Sequence, residues 1–136
     1  MVFDTNVFAY ALLNVPEHRD EALRSFEKAR DIVVPDSFRV EIANTVWQWT
    51  RARGLDLEAG LSALREAEAL VGAVVPANHL WEAALELSVA NGHPVYDTFF
   101  VALAAMERTR VVTYDKRLLA RFPERAISVA AFLKER

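Results

Sequence analysis

An α/β architecture, with a short parallel sheet covered by helices on both faces, is predicted by three features of the sequence. Short apolar runs alternate with longer amphipathic stretches along the whole chain, which is the pattern of strands joined by crossover helices. The length of 136 residues suits one domain burying roughly two-thirds of its unfolded surface around a single core. No internal repeat, low-complexity tract or Gly/Ser linker divides the chain, so residues 1–136 are expected to form one domain.

Val2 opens a short buried strand that ends at Asp4, and Asn6 to Leu13 follows as a short helix. Pro16 begins a charged helix through Arg30, with Ala22, Leu23, Phe26 and Ala29 at helical spacing. Ile32-Val33-Val34-Pro35 is a second strand. Asp36 or Ser37 can cap a long helix whose apolar stripe runs Phe38, Ile42, Val46 and Trp49 and which ends near Gly54. Leu57 to Val71 continues as a helix with Leu57, Leu61, Leu64 and Leu70 near one face, and Val74-Val75-Pro76 is a short, weak strand or an extended connection. Asn78 can cap the next helix, with Leu80, Trp81, Ala84, Leu85 and Leu87 inward, until Asn91-Gly92 stops it. Pro94 to Met106 is the most apolar helix of the chain. Val111-Val112-Thr113 is the clearest buried strand; a short helix over Lys116 to Arg121, a strand near Ala126 to Val129 and a terminal helix complete the series.

Hydrophobic residues make up 53% of the chain, yet no apolar run reaches the roughly 20 residues that a membrane-spanning helix needs. The surplus is expected to cover a homodimer interface, on helices such as Trp47 to Arg53 or Leu61 to Leu70. The N-terminus lacks a basic n-region and an apolar h-region, and there is no Cys, which fits a cytoplasmic protein without disulfides. The net charge of −3 argues mildly against a generic nucleic-acid coat. The charge is uneven, however: eight basic and four acidic residues fall between Glu107 and Arg136, against eight basic and fifteen acidic residues before them.

Asp4, Glu41, Asp97 and Asp115 stand beside apolar strands or on largely apolar helices. A carboxylate buried in the Asp97 helix must act as a cap, be protonated or bind a cation. Open parallel sheets bind ligands outside the carboxyl ends of their strands, and Asp4 and Asp115 both follow strands. If the helices bearing Glu41 and Asp97 begin at the same edge, all four carboxylates converge. Each also has a plainer use. Asp4 can form an Asx turn, Asp97 and Asp115 can cap helices, and Glu41 can be an exposed helix charge. His18, His79 and His93 show no ligand spacing and are read as surface or helix-end residues.

The order and flanks of these motifs, Val2-Phe3-Asp4-Thr5-Asn6, Glu41, Tyr96-Asp97-Thr98-Phe99-Phe100-Val101-Ala102-Leu103-Ala104 and Val112-Thr113-Tyr114-Asp115-Lys116-Arg117-Leu118, resemble the PIN-domain family, most closely its VapC-like toxin branch. The resemblance spans nearly the whole chain. It implies a PIN-like three-layer α/β/α fold and an endoribonuclease dependent on Mg²⁺ or Mn²⁺ that leaves a 5′-phosphate. It also implies a small antitoxin partner, as in a type II toxin-antitoxin pair, and commonly a dimer. By the same resemblance Asp4, Glu41, Asp97 and Asp115 match the family acids, Asp4 and Asp97 being the main metal ligands, and Asn6 and Thr113 match their polar supports.

Phosphodiester cleavage builds charge on phosphoryl oxygens and needs an activated water, and a divalent ion serves both requirements. Mg²⁺ takes oxygen ligands, usually one or two carboxylates plus substrate phosphate. Glu41 or Asp115 would orient the water or complete a second metal position. Arg39, Lys116, Arg117 and Arg121 are the basic residues beside the acidic motifs that could draw an RNA backbone, with Arg51 and Arg53 further away. Trp47, Trp49 and Trp81 could stack bases, though their helical positions suit core or interface. A receiver domain would need a pair of acids after the first strand and a Lys after the last, and a haloacid-dehalogenase-like phosphatase would need a second Asp where Asn6 stands. Other readings are a non-toxin PIN nuclease in RNA processing and a catalytically silent PIN binding module.

Overall fold

The computed structural model describes all residues, 1–136. Five strands form one sheet: β1 (Val2–Phe3), β2 (Val33–Pro35), β3 (Ala73–Val75), β4 (Val111–Thr113) and β5 (Ala126–Ser128). All neighbours are parallel, in the order β3-β2-β1-β4-β5. Eight helices connect and flank the strands: α1 (Thr5–Leu12), α2 (Arg19–Lys28), α3 (Ser37–Arg53), α4 (Leu57–Leu70), α5 (Trp81–Asn91), α6 (Val95–Met106), α7 (Lys116–Arg121) and α8 (Val129–Lys134). A 3₁₀ turn over Ala77–His79 precedes α5.

Successive strand residues point to opposite faces. Val2 and Phe3 are nevertheless both fully buried, as are Val111, Val112 and Thr113, so the centre of the sheet is covered on both sides. On one face the Phe3 ring gathers three helices, meeting Phe8 of α1 at 6.5 Å, Phe26 of α2 at 5.0 Å and Phe132 of α8 at 6.0 Å between centroids. Phe8 in turn packs against Phe38 of α3, the rings tilted by 49° with centroids 4.5 Å apart. These separations lie in the favourable range for aromatic pairs, each contributing about 1 kcal/mol beyond its area burial.

Helix ends follow the expected glycines: Gly54 (φ +65°) closes α3 and Gly92 (φ +60°) closes α5, both in the left-handed region that lacks a Cβ penalty only for glycine. Several details differ from the sequence expectation. The charged helix begins at Arg19, because residues 16–18 form a turn. Neither Asp36 nor Ser37 caps α3: Asp36 is itself in helical conformation (φ −59°, ψ −27°) and its carboxylate turns to Arg39, 2.9 Å away. The buried face of α4 is Gly60, Ala63 and Ala67, while Leu57 is exposed. At Gly60 the fit to α3 is tight, since a Cβ there would lie 2.9 Å from Val46 Cγ1. On α5, Leu80 and Ala84 face inward but Trp81 and Leu85 are both 58% exposed. No helix is long and apolar enough to cross a membrane.

Candidate active site

The chain runs outward from β1 through β2 to β3, then crosses back to β4 and β5 on the other side. The strand order therefore reverses between β1 and β4, and such a switch point opens a crevice beyond the carboxyl ends of the strands. Asp4 directly follows β1 and Asp115 lies two residues beyond β4. The first turns of α3 and α6 bring Glu41 and Asp97 to the same place. All four acids line one cavity of about 550 Å³, together with Asn6, Tyr10, Asn44, Thr45, Trp49 and Tyr96 among others, and no Lys or Arg lines it.

Asp4 is nearly inaccessible and its carboxylate is held on three sides. Oδ1 accepts from Thr5 N at 2.8 Å; Oδ2 accepts from Thr113 Oγ1 at 2.8 Å and, more weakly, from Asn6 Nδ2 at 3.4 Å. Asn6 ties the two loops together, donating to Thr113 Oγ1 at 3.3 Å and accepting from Tyr114 N at 3.2 Å. Burial pushes the Asp4 carboxyl up to about 7, with Asp97 and Asp115 adding repulsion and the Thr113 and Thr5 hydrogen bonds opposing the rise. Glu41 is pushed up to about 8, first by burial and then by Asp4 and Asp97. Its Oε2 is buried and has no hydrogen-bond partner in the chain.

Asp97 occupies the first turn of α6 without capping it, and its Oδ2 lies 2.7 Å from Nε2 of His93. The His93 side chain is only 1% exposed. His93 therefore lies between two helix ends, like His18 and His79 at theirs, but its side chain is buried and not at the surface. In the sequence His93 precedes Asp97 by four residues, a spacing that does not by itself show that the ring is buried. Asp115 does serve the plainer purpose as well, its Oδ1 accepting from Arg117 N (2.9 Å) and Leu118 N (3.3 Å) to cap α7. Although the four acids share one cavity, no three acidic or histidine side chains stand in ready-made ion-binding spacing.

The basic residues are less uniform. Arg39 directs its guanidinium to Glu68 and Asp36, raising its own pKa and lowering that of Glu68. Arg121 donates to the carbonyls of Asn91 and Gly92. Lys116 and Arg117 are exposed on α7 beside Asp115. Arg53 lies over the Trp49 ring at 4.6 Å, which places one guanidinium–indole pair at the cavity wall, while Arg51 lies over Trp47 at 4.9 Å away from the lining. Tyr10, Asn44 and Thr45, which carry no motif in the sequence, also reach the cavity, as does Tyr96. Asn44 and Thr45 follow Glu41 by three and four residues, one helical turn along the same face.

A family profile described as PIN domain matches residues 1–124. The chain belongs to the PIN-domain family. Among curated proteins, this PIN chain is 30% identical over 118 residues to Ribonuclease VapC3 of Pyrobaculum aerophilum, spanning 85% of the chain and 90% of that relative. Among solved structures, PAE2754 of Pyrobaculum aerophilum superposes with a TM-score of 0.75 at 20% identity, over 97% of this chain and 85% of that one. A toxin-antitoxin complex from Klebsiella pneumoniae gives a TM-score of 0.65 at 17% identity, over 94% and 96%. The two structures establish the PIN-like α/β/α fold predicted from the sequence.

Proposed function

We propose that this PIN domain is a divalent-cation-dependent endoribonuclease, the toxin of a type II toxin-antitoxin pair. The observation that carries the reading is the single cavity into which Asp4, Glu41, Asp97 and Asp115 open at the switch point of the sheet, with no basic residue on its walls. The donor set suits a hard cation: the oxygens are carboxylates, and Glu41 Oε2 is a buried acceptor that the protein leaves unpaired. Asp4 and Asp97 would hold Mg²⁺ or Mn²⁺. When bound, the ion stabilises charge on the phosphoryl oxygens and acidifies water.

The protein's own residues supply orientation. Thr113 and Asn6 fix the Asp4 carboxylate in one rotamer through Oδ2, so that it needs no reordering when substrate arrives. Glu41, which lines the cavity and whose Oε2 takes no hydrogen bond from the protein, would orient water and take its proton, whereas Asp115 gives one oxygen to the start of α7 and contributes mainly negative charge and the second oxygen. Lys116 and Arg117, exposed beside the cavity, would meet the RNA backbone, with Arg121 and Arg39 supporting from positions already paired with the protein.

The homology to Ribonuclease VapC3 and the likeness to a toxin-antitoxin complex support the toxin reading. A small antitoxin would have an apolar groove available along α3, a cavity of about 210 Å³ lined by Phe38, Ile42, Leu64 and Ala67 between Arg39 and Glu68. A second copy of the chain is the proposed partner at α5, and the cytoplasm is the proposed location. The residue assignment is tested by Asp4→Asn and Asp97→Asn. The loss of an ion worth several kcal/mol in the transition state should lower RNA cleavage by about a hundredfold or more, with thermal unfolding still cooperative. Near wild-type cleavage by both folded variants would refute it.

A further inference from the structure

His93 stands in the turn between α5 and α6. Gly92 precedes it in left-handed conformation and Pro94 follows it as the N-cap residue of α6, the proline fixing its own φ and disfavouring helical backbone at His93. Its ring meets Phe122 edge-on at 5.6 Å and 82°, and Nε2 contacts Asp97 Oδ2 at 2.7 Å. Nδ1 is buried with no partner. A proton on Nδ1 would be an orphaned donor, whereas a proton on Nε2 is received by the carboxylate, so the hydrogen bond selects the tautomer with Nε2–H. His93 supplies the protein's hydrogen bond to this carboxylate, and Oδ1 receives none.

We propose that His93 is a positioning residue for Asp97: by holding Oδ2 it fixes the carboxylate rotamer and leaves Oδ1 as the oxygen directed to the cation. The inference rests on the metal reading above and extends it from the four acids to a residue that touches only one of them. An unclamped Asp97 would have to give up rotamer freedom each time an ion bound, at the first turn of a helix where several rotamers are open. The role is therefore one of affinity for the ion and not of chemistry.

The test is Mn²⁺ titrated into the chelator-treated full-length protein, with free Mn²⁺ followed by electron paramagnetic resonance, for wild type, His93→Phe and His93→Gln. Phe keeps the aromatic contact with Phe122 and removes the donor; Gln can place an N–H close to the Nε2 position. His93→Phe should bind Mn²⁺ roughly ten- to a hundredfold more weakly, as is usual for loss of an outer partner of a metal ligand. Its half-saturating Mn²⁺ for RNA cleavage should rise in proportion, with kcat at saturating Mn²⁺ retained, and His93→Gln should bind close to wild type. If His93→Phe does not fold, His93→Asn replaces it, an amide too short to reach Asp97, and must bind more weakly than His93→Gln. Unchanged Mn²⁺ affinity in the variant lacking the donor, or equal weakening by Gln, overturns the positioning role while leaving the metal reading intact. Wild-type protein that takes up no Mn²⁺ overturns the metal reading and the role of His93 with it.

Discussion

Asp4 and Glu41 are carboxyls whose protons are held more tightly in the folded chain than in the unfolded one, Asp4 rising from 3.8 to about 7 and Glu41 from 4.5 to about 8. Between those limits the unfolded state carries fewer protons than the native state, so stability falls as pH rises. The penalty from these two groups is absent below pH 4 and complete above pH 8. Metal-free protein should therefore melt at a higher temperature at pH 5.5 than at pH 8.5, by an amount worth up to a few kcal/mol. Glu41→Gln should flatten that slope, and differential scanning calorimetry across the range reads both; a slope unchanged by the substitution would remove Glu41 from the buried acidic cluster. At this scale the sequence was legible where chemistry was unusual for its surroundings. Asp97 in an apolar helix and Asp4 and Asp115 at strand ends stood out, whereas Asn6 and Thr113 were indicated only by the resemblance to the PIN-domain family. His93 did not, because its burial depends on Phe122 of a distant segment.

The helices show where periodicity reaches its limit. α5 carries apolar residues on two faces: Leu80 and Ala84 turn inward, while Trp81, Leu85 and Val89 form an outward stripe at i, i+4 and i+8, with Val89 78% exposed. A hydrophobic pattern alone cannot say which of two apolar faces meets the core. α4 gives the opposite lesson, its inward face made of Gly60, Ala63 and Ala67 because α3 approaches so closely that a Cβ at Gly60 would press on Val46. The outward stripe continues into a shallow apolar depression shared with Val95 and Phe99 of α6, and this is the surface proposed to meet a second copy. Light scattering should give a dimer for wild type and a monomer for Leu85→Glu with an unchanged melt. A wild-type monomer at high concentration, or a dimeric Leu85→Glu, would move the interface elsewhere.

The whole molecule ties these parts to one place. The strand alternation in the sequence was enough to predict a parallel sheet, because apolar residues at successive positions of so short a strand must be buried on both faces. The strand order was not legible, since it is decided by which crossover passes over which neighbour, and it is the order β3-β2-β1-β4-β5 that sets Asp4 beside Thr113 and Asp115. Four acids separated by as many as 111 positions in the chain, from Asp4 to Asp115, share a cavity only because β1 and β4 are adjacent and α3 and α6 begin at the same edge. The central claim is that this cavity cuts RNA through a divalent ion, and its most direct test is cleavage of a single-stranded RNA by protein stripped of metal. Excess EDTA should abolish cleavage and restored Mn²⁺ or Mg²⁺ should recover it; undiminished cleavage in EDTA would show that no divalent ion is needed.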